Sequence, residues 1–333
     1  KSKIMSGYHT PFTPGWDCHG LPIELQVEKK YGKGKFKDNP NAFVAACREF
    51  ARKQIEKQKA DFIRLGVFAD WDNPYTSMDK EVESGIVKSL SKIIDNNHVY
   101  FGSKPVHWCI ESSSALAEAE VEYKDIVSKA VCVKFRITSS NELTFTKNIN
   151  HKAHISIPIW TTTPWTLPAN RAVAISKDID YSLVQVDRDY LIIAKKLVGS
   201  VMEKAGISGF KVVEESIKSE MSAVMLEHPF YDIKVPVIFA EHVTDENGTG
   251  AVHIAPGHGT EDYLAGLEHD LEVYNPVDDY GRFKESLPIF GGMKVRESNE
   301  EIVSLLNKND ALLFSEDYEH SYPHCWRYKT PLI

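Results

Sequence analysis

The chain has 333 residues, 42% hydrophobic and 26% charged, an ordinary globular composition with room for about two domains of ~150 residues. No apolar run approaches the ~18 residues of a membrane-spanning helix and no signal peptide opens the chain, so a cytoplasmic protein is expected. Net charge is −8, which argues against a nucleic-acid partner for the chain as a whole, but residues 1–64 hold 13 Lys and Arg against 7 Asp and Glu while the remainder holds 26 against 40. Such a basic front end can meet phosphates, or be only a solvated helix face. The five cysteines, at 18, 47, 109, 132 and 325, are odd in number, lack disulfide-like spacing and read as reduced thiols. The chain opens abruptly at Lys1 and stops at Ile333 in an apolar run after a proline, so a segment of a longer protein is expected.

Residues 7–24 are dense in glycine and proline, which marks a loop that approaches something closely. Within it Asp17 and His19 have small neighbours, and Asp17 suits a carboxylate awaiting an ammonium group. The segment 41–64 predicts a helix, capped by Asn39, with Pro40 in its first turn and Phe43, Ala46, Phe50 and Ile55 as its apolar stripe. A second helix is predicted from Asp79 to Asn97, with Val82, Ile86, Leu90 and Ile93 on one face. Both are read as scaffold. Cys109 and Cys325 each begin a half-knuckle whose second position is Ser112 or Tyr328, so no structural zinc is expected. Ala115–Tyr123 is expected as a short helix or turn between two lobes.

From about Ser128 strands are predicted at 130–137, 155–160, 172–175, 181–186, 190–194, 235–241 and 250–255, with short helices near 195–205 and 260–269. Ser298 with Glu301 predicts a capping box for a helix through 307. Many short strands with few helices imply a barrel or closed sandwich. The expected fold class is therefore α/β with a β-barrel-rich inserted domain flanked by helical and partial Rossmann segments. The expected boundaries are 1–127 for the flank and helical connective segment, 128–315 for the inserted domain, and 316–333 for a return strand.

Two stretches of that domain carry chemistry. In Trp160–Asn170, Thr161, Thr162 and Thr163 place hydroxyls on both sides of an extended backbone, Pro164 ends the ladder, Trp165 supplies an apolar wall, and Thr166 and Asn170 add donors and acceptors. In Gly248–Tyr263, a strand ends at Pro256, Gly257-His258-Gly259 turns tightly, and Thr260 can cap a helix carrying Asp262 in its first turn. His253, His258 and Asp262 thus gather near one strand end, as a satisfied polar network or as a metal-dependent hydrolytic centre, although the spacing is a weak metal pattern.

Taken together, the segment Trp16-Asp17-Cys18-His19-Gly20-Leu21-Pro22-Ile23-Glu24, the run Trp160–Asn170 and Gly248–Tyr263 resemble the bacterial-type isoleucyl-tRNA synthetases, of the class I aminoacyl-tRNA synthetases, over nearly the whole chain. Valyl and leucyl relatives tend to carry Thr-Thr-Arg-Pro where this chain has Thr-Thr-Thr-Pro-Trp. The family's two ATP-handling motifs, His-Ile-Gly-His and Lys-Met-Ser-Lys-Ser, are absent here. The resemblance therefore implies the connective insertion with its editing domain and a flank of the catalytic domain, without cofactor in this segment and with ATP and magnesium used by the full enzyme. Ser112, Tyr328, Ile254 and Thr260-Glu261 depart from the expected pattern.

The resemblance further implies hydrolysis of valine misattached to tRNA(Ile), with tRNA(Ile), valine, isoleucine and the rest of the synthetase as partners. A binding pocket gains only ~1–3 kcal/mol from one methylene, a general limit of which isoleucyl-tRNA synthetase is itself the usual illustration, so a second site must reject isoleucine by size. Residue by residue, Asp262 would bind the α-ammonium and His253 would exclude the extra methylene. Thr161, Thr162 and Thr163 would position the ester, the terminal adenosine or the water. Trp165 would wall the site with His258 nearby, and Thr166 and Asn170 would support it. Asp17 would be the ligand for the amino group of isoleucine in the synthetic flank. The alternatives are a metal-dependent hydrolase using His253, His258 and Asp262, and a non-catalytic tRNA-binding module.

Overall fold

A computed structural model describes every residue except 33, 139–148, 150–152, 218–220 and 222–223. The chain divides into two compact units, Lys1–Gly102 and Ser103–Ile333.

The first unit is mainly helical, with α1 (Leu21–Tyr31), α2 (Pro40–Arg64) and α3 (Lys80–Asp95). Helix α2 starts where its local sequence dictates. The Asn39 side chain accepts from the Ala42 amide at 3.1 Å, and Pro40 fills the first turn, where its missing N–H has no helical partner to lose. The core here is small: Cys18, Ala51, Ile55 and Met78, with Trp16 and Ile23 against it. Of the predicted α2 stripe only Ile55 is fully buried, and Ile86, Leu90 and Ile93 of α3 lie exposed.

The second unit holds one large mixed sheet. Its strands are β1 (Val121–Ile137), β2 (Ile155–Thr161), β3 (Ala172–Ile175), β4 (Tyr181–Val186), β5 (Asp189–Ala194), β6 (Phe210–Ile217), β7 (Met225–Glu227), β8 (Lys234–Phe239), β9 (Val252–Ile254) and β10 (Leu312–Cys325). They run in the order β6-β4-β5-β2-β1-β7-β8-β3-β9, with β10 paired to β1 off this path. Pairing is antiparallel except for β2 with β5 and β8 with β3. Strand β3, Ala-Val-Ala-Ile, is buried throughout because it lies between β8 and β9. The expected closed barrel is not formed: among the described residues, β6 and β9 end the path without pairing to one another. Strands β6, β7 and the start of β10 add to the predicted set, and β1 begins at Val121, after a single 3-10 turn at Glu118–Glu120.

Helix α4 (Val198–Lys204) falls within the predicted 195–205, and two predicted caps are corrected. Helix α5 (Thr260–Glu268) begins with Thr260 inside its first turn, and Gly259 occupies the cap without a side-chain bond. In helix α6 (Ser298–Lys308) the Ser298 hydroxyl donates to the Val295 carbonyl at 2.7 Å instead of forming a capping box.

Candidate functional site

The threonine stretch and the histidine turn meet through sheet register. Strand β2 runs opposite β1 as far as Thr161, paired with Val131, and then leaves the ladder. Pro164 opens a tight 3-10 turn, Pro164–Ala169, in which every residue is buried. The chain re-enters the sheet as β3, where Val173 pairs with His253 of β9. A histidine 87 residues beyond Thr166 is thereby set against the turn.

The resulting polar chain is short. The Thr163 amide donates to Thr161 Oγ1 at 3.2 Å, and the two hydroxyls lie 3.3 Å apart. Thr166 Oγ1 donates to the Thr163 carbonyl at 2.9 Å and sits 3.0 Å from His253 Nε2. A hydroxyl has one hydrogen, already given to Thr163, so His253 must donate from Nε2 and Thr166 must accept. That fixes the tautomer and leaves His253 Nδ1 as a lone-pair acceptor, buried without a protein partner. Burial, reinforced by the nearby His258 and His228, holds His253 down at about 3, so the ring is neutral at ordinary pH.

Asp262 is held over the end of β9. Its Oδ2 accepts from the Ala255 amide at 2.8 Å, and it lies in the first turn of α5, where the dipole favours a carboxylate. Burial nonetheless raises it to about 6, against the lowering effect of that bond. A raised carboxyl with few partners stands to gain from an incoming cation. His258 packs edge-on against Trp165, ring centroids 5.1 Å apart, and is lowered by burial to about 4. Its Nε2 is buried without a partner, and it helps line a cavity of about 180 Å³ with Trp108, Gly257, Asn275 and Asp278. The threonines and Asp262 do not line that cavity.

Two glycines permit the close approach. A Cβ at Gly250, where φ is +80°, would lie 2.3 Å from that of Ala194, and one at Gly257 would lie 2.4 Å from the Tyr274 carbonyl. The Asn170 side chain is fully buried and donates to the Ala172 carbonyl at 2.8 Å, while its oxygen has no partner. Thr162 is half-buried at the strand end. Asp17 belongs to the other unit, exposed, accepting from Ser77 Oγ at 3.2 Å.

The model of the family described as tRNA synthetases class I (I, L, M and V) matches residues 1–319. The chain belongs to this family. It is 51% identical to the isoleucine–tRNA ligase of Shewanella piezotolerans, 50% to that of Legionella pneumophila and 49% to that of Alkalilimnicola ehrlichii. Each match covers all of this chain and 36% of the relative, so the chain spans about a third of the length of these synthetases. The crystal structure of GlLeuRS-CP1 aligns to 57% of the chain and 99% of its own length at 13% identity and a TM-score of 0.45, a likeness too weak to carry an argument.

Within this class I segment the two half-knuckles do meet: Cys109 and Cys325 share a small buried cluster with Leu332, and the Cys109 thiol donates to Glu111 Oε2 at 3.6 Å. Among the described residues no group of three or more His, Cys, Asp or Glu is placed to hold a metal ion. That geometry does not favour a metal centre at His253, His258 and Asp262. Sequence reasoning missed two supports of the synthetase segment. Tyr181 accepts from the Ser176 amide and donates to the Gly250 carbonyl at 2.6 Å, tying the loop before β9 to the sheet. His228 is buried behind the threonine turn. The aromatic setting Glu227-His228-Pro229-Phe230-Tyr231 was the only local signal for it.

Proposed function

We propose that the unit Ser103–Ile333 is the editing domain of an isoleucine–tRNA ligase and hydrolyses valine misattached to tRNA(Ile). The observation that carries this reading is the joining of the threonine turn to β9 through Thr166 and His253, with the Asp262 carboxylate bonded to the Ala255 amide just past the end of that strand. Asp262 binds the α-ammonium, since a confined carboxylate gains most from a cation. His253 limits the side chain, and its free Nδ1 is an acceptor for a water hydrogen. The threonine hydroxyls position the ester.

Water oxygen adds to the ester carbonyl carbon, the bond from that carbon to the ribose oxygen breaks, and a proton from the water passes to that oxygen, which becomes the free ribose hydroxyl. Valine and free tRNA leave. None of the threonines has a base beside it able to take its proton, because the nearest imidazole presents Nε2–H, so direct water attack is favoured over a covalent intermediate. Attachment of isoleucine, with ATP and magnesium, and recognition of isoleucine by Asp17 belong to the whole synthetase, acting in the cytoplasm.

The test is hydrolysis of valyl-tRNA(Ile) and isoleucyl-tRNA(Ile) by the chain, with and without chelator. Loss of valine alone, insensitive to chelator, is expected. Equal loss of both contradicts size selection, and chelator-sensitive loss favours a metal-dependent hydrolase. Unchanged hydrolysis but weakened tRNA binding in Asp262→Ala identifies a clamp instead.

A further inference from the structure

His228 lies at the end of β7 and makes contacts that fix both its ring nitrogens. The amides of Phe230 and Tyr231 donate to Nδ1 at 3.3 and 3.2 Å. Nδ1 therefore carries a lone pair, and the hydrogen is on Nε2. That Nε2 lies 3.1 Å from the carbonyl of Leu167, which can only accept. The ring is 5% exposed and held on three sides: stacked on Tyr231 at 4.9 Å, and edge-on to Phe230 at 4.6 Å and to Phe135 at 6.1 Å. Leu167 follows Thr166, the residue that accepts from His253.

We infer that His228 is a positioning residue for the hydrolytic site: its Nε2–H clamps the Leu167 carbonyl and so holds the Thr166 hydroxyl at the distance His253 requires. The inference rests on the reading of the site given above, yet its geometric part is measurable without substrate. The clamp spans 61 residues of sequence, so the 3-10 turn, which has poor internal hydrogen bonding of its own, takes its orientation from β7. Burial also keeps the ring neutral, at about 4, which preserves the one tautomer the two contacts allow.

Two substitutions separate positioning from local structure. In His228→Asn the amide oxygen replaces Nδ1 and keeps the Phe230 and Tyr231 bonds, but no donor reaches Leu167. In His228→Gln the amide nitrogen replaces Nε2 and keeps the Leu167 bond. Histidine-ring nitrogen NMR on the chain and its variants is read beside valyl-tRNA(Ile) hydrolysis. Expected results are an Nε2–H tautomer at His228 in the parent, and a displaced His253 Nε2 resonance with at least a tenfold lower kcat and little change in KM in His228→Asn. Recovery of both to within about threefold is expected in His228→Gln. A parent His228 protonated on Nδ1 overturns the inference whatever the variants do. So does an unmoved His253 resonance in folded His228→Asn, or equal effects of the two variants. If the parent hydrolyses nothing, the functional reading fails while the ring signals still decide the clamp.

Discussion

Thr166 has one hydroxyl serving two neighbours, and the site's proton arrangement follows from it. In Thr166→Val the His253 Nε2–H is left buried without an acceptor, a loss of ~1–3 kcal/mol. Urea unfolding should show that loss, with Thr166→Ser much closer to the parent. Asp262 gives a pH test with a definite sign. Its folded value, about 6, lies above the ordinary carboxyl range, so the folded state holds this proton more tightly than the unfolded chain. Its contribution is therefore favourable below about 4 and is lost as pH rises through about 6. Asp262→Asn keeps an acceptor for Ala255 and lacks the titration, so its stability relative to the parent should improve between pH 4.5 and pH 7.5. An offset equal at both pH values would contradict burial as the cause. The same carboxyl must be ionised to bind an ammonium, so valyl-tRNA(Ile) hydrolysis should rise as pH climbs through about 6.

At the scale of elements, the loop before β9 is set by Gly250. Its φ of +80° and the 2.3 Å approach to Ala194 make Gly250→Ala both strained and overpacked. A loss of about 2 kcal/mol or more is expected in denaturant unfolding, with hydrolysis reduced because the loop leads directly into β9, which carries His253. The elements legible in the sequence are those set by local chemistry, such as α2 with its Asn39 cap and Pro40, and β3 with its unbroken apolar run. Strand β6 was not legible because seven of its eight residues are exposed, so no apolar alternation marks it. Of strand β10 only the start, Leu312–Ser315, lies outside the expected return strand at 316–333; it is half-buried up to Phe314 and pairs with β1, with no alternation to mark it. Closure into a barrel was misjudged because it depends on which distant strands end the sheet, and strand count does not fix that. The threonine and histidine stretches were legible as dense chemistry, whereas His228 acts across 61 residues and becomes visible only with the register.

For the molecule as a whole, the two units differ in what holds them. The first has a buried apolar cluster of four residues, while the second has one large continuous core built on the sheet. Native-state hydrogen exchange should therefore show the amides of Lys1–Gly102 opening more readily than those of β2, β3 and β5, by a factor of ten or more. Uniform protection would contradict this division. The central claim concerns the second unit: Asp262 and the Thr161–Thr166 turn hold opposite ends of one aminoacyl ester. Its most direct test is a crystal structure of the chain with a non-hydrolysable valyl-adenosine analogue. The account predicts the α-ammonium within hydrogen-bonding distance of Asp262, the ester beside the threonine hydroxyls and the isopropyl group against His253. An analogue bound elsewhere, with Asp262 and the threonines facing separate surroundings, would contradict it.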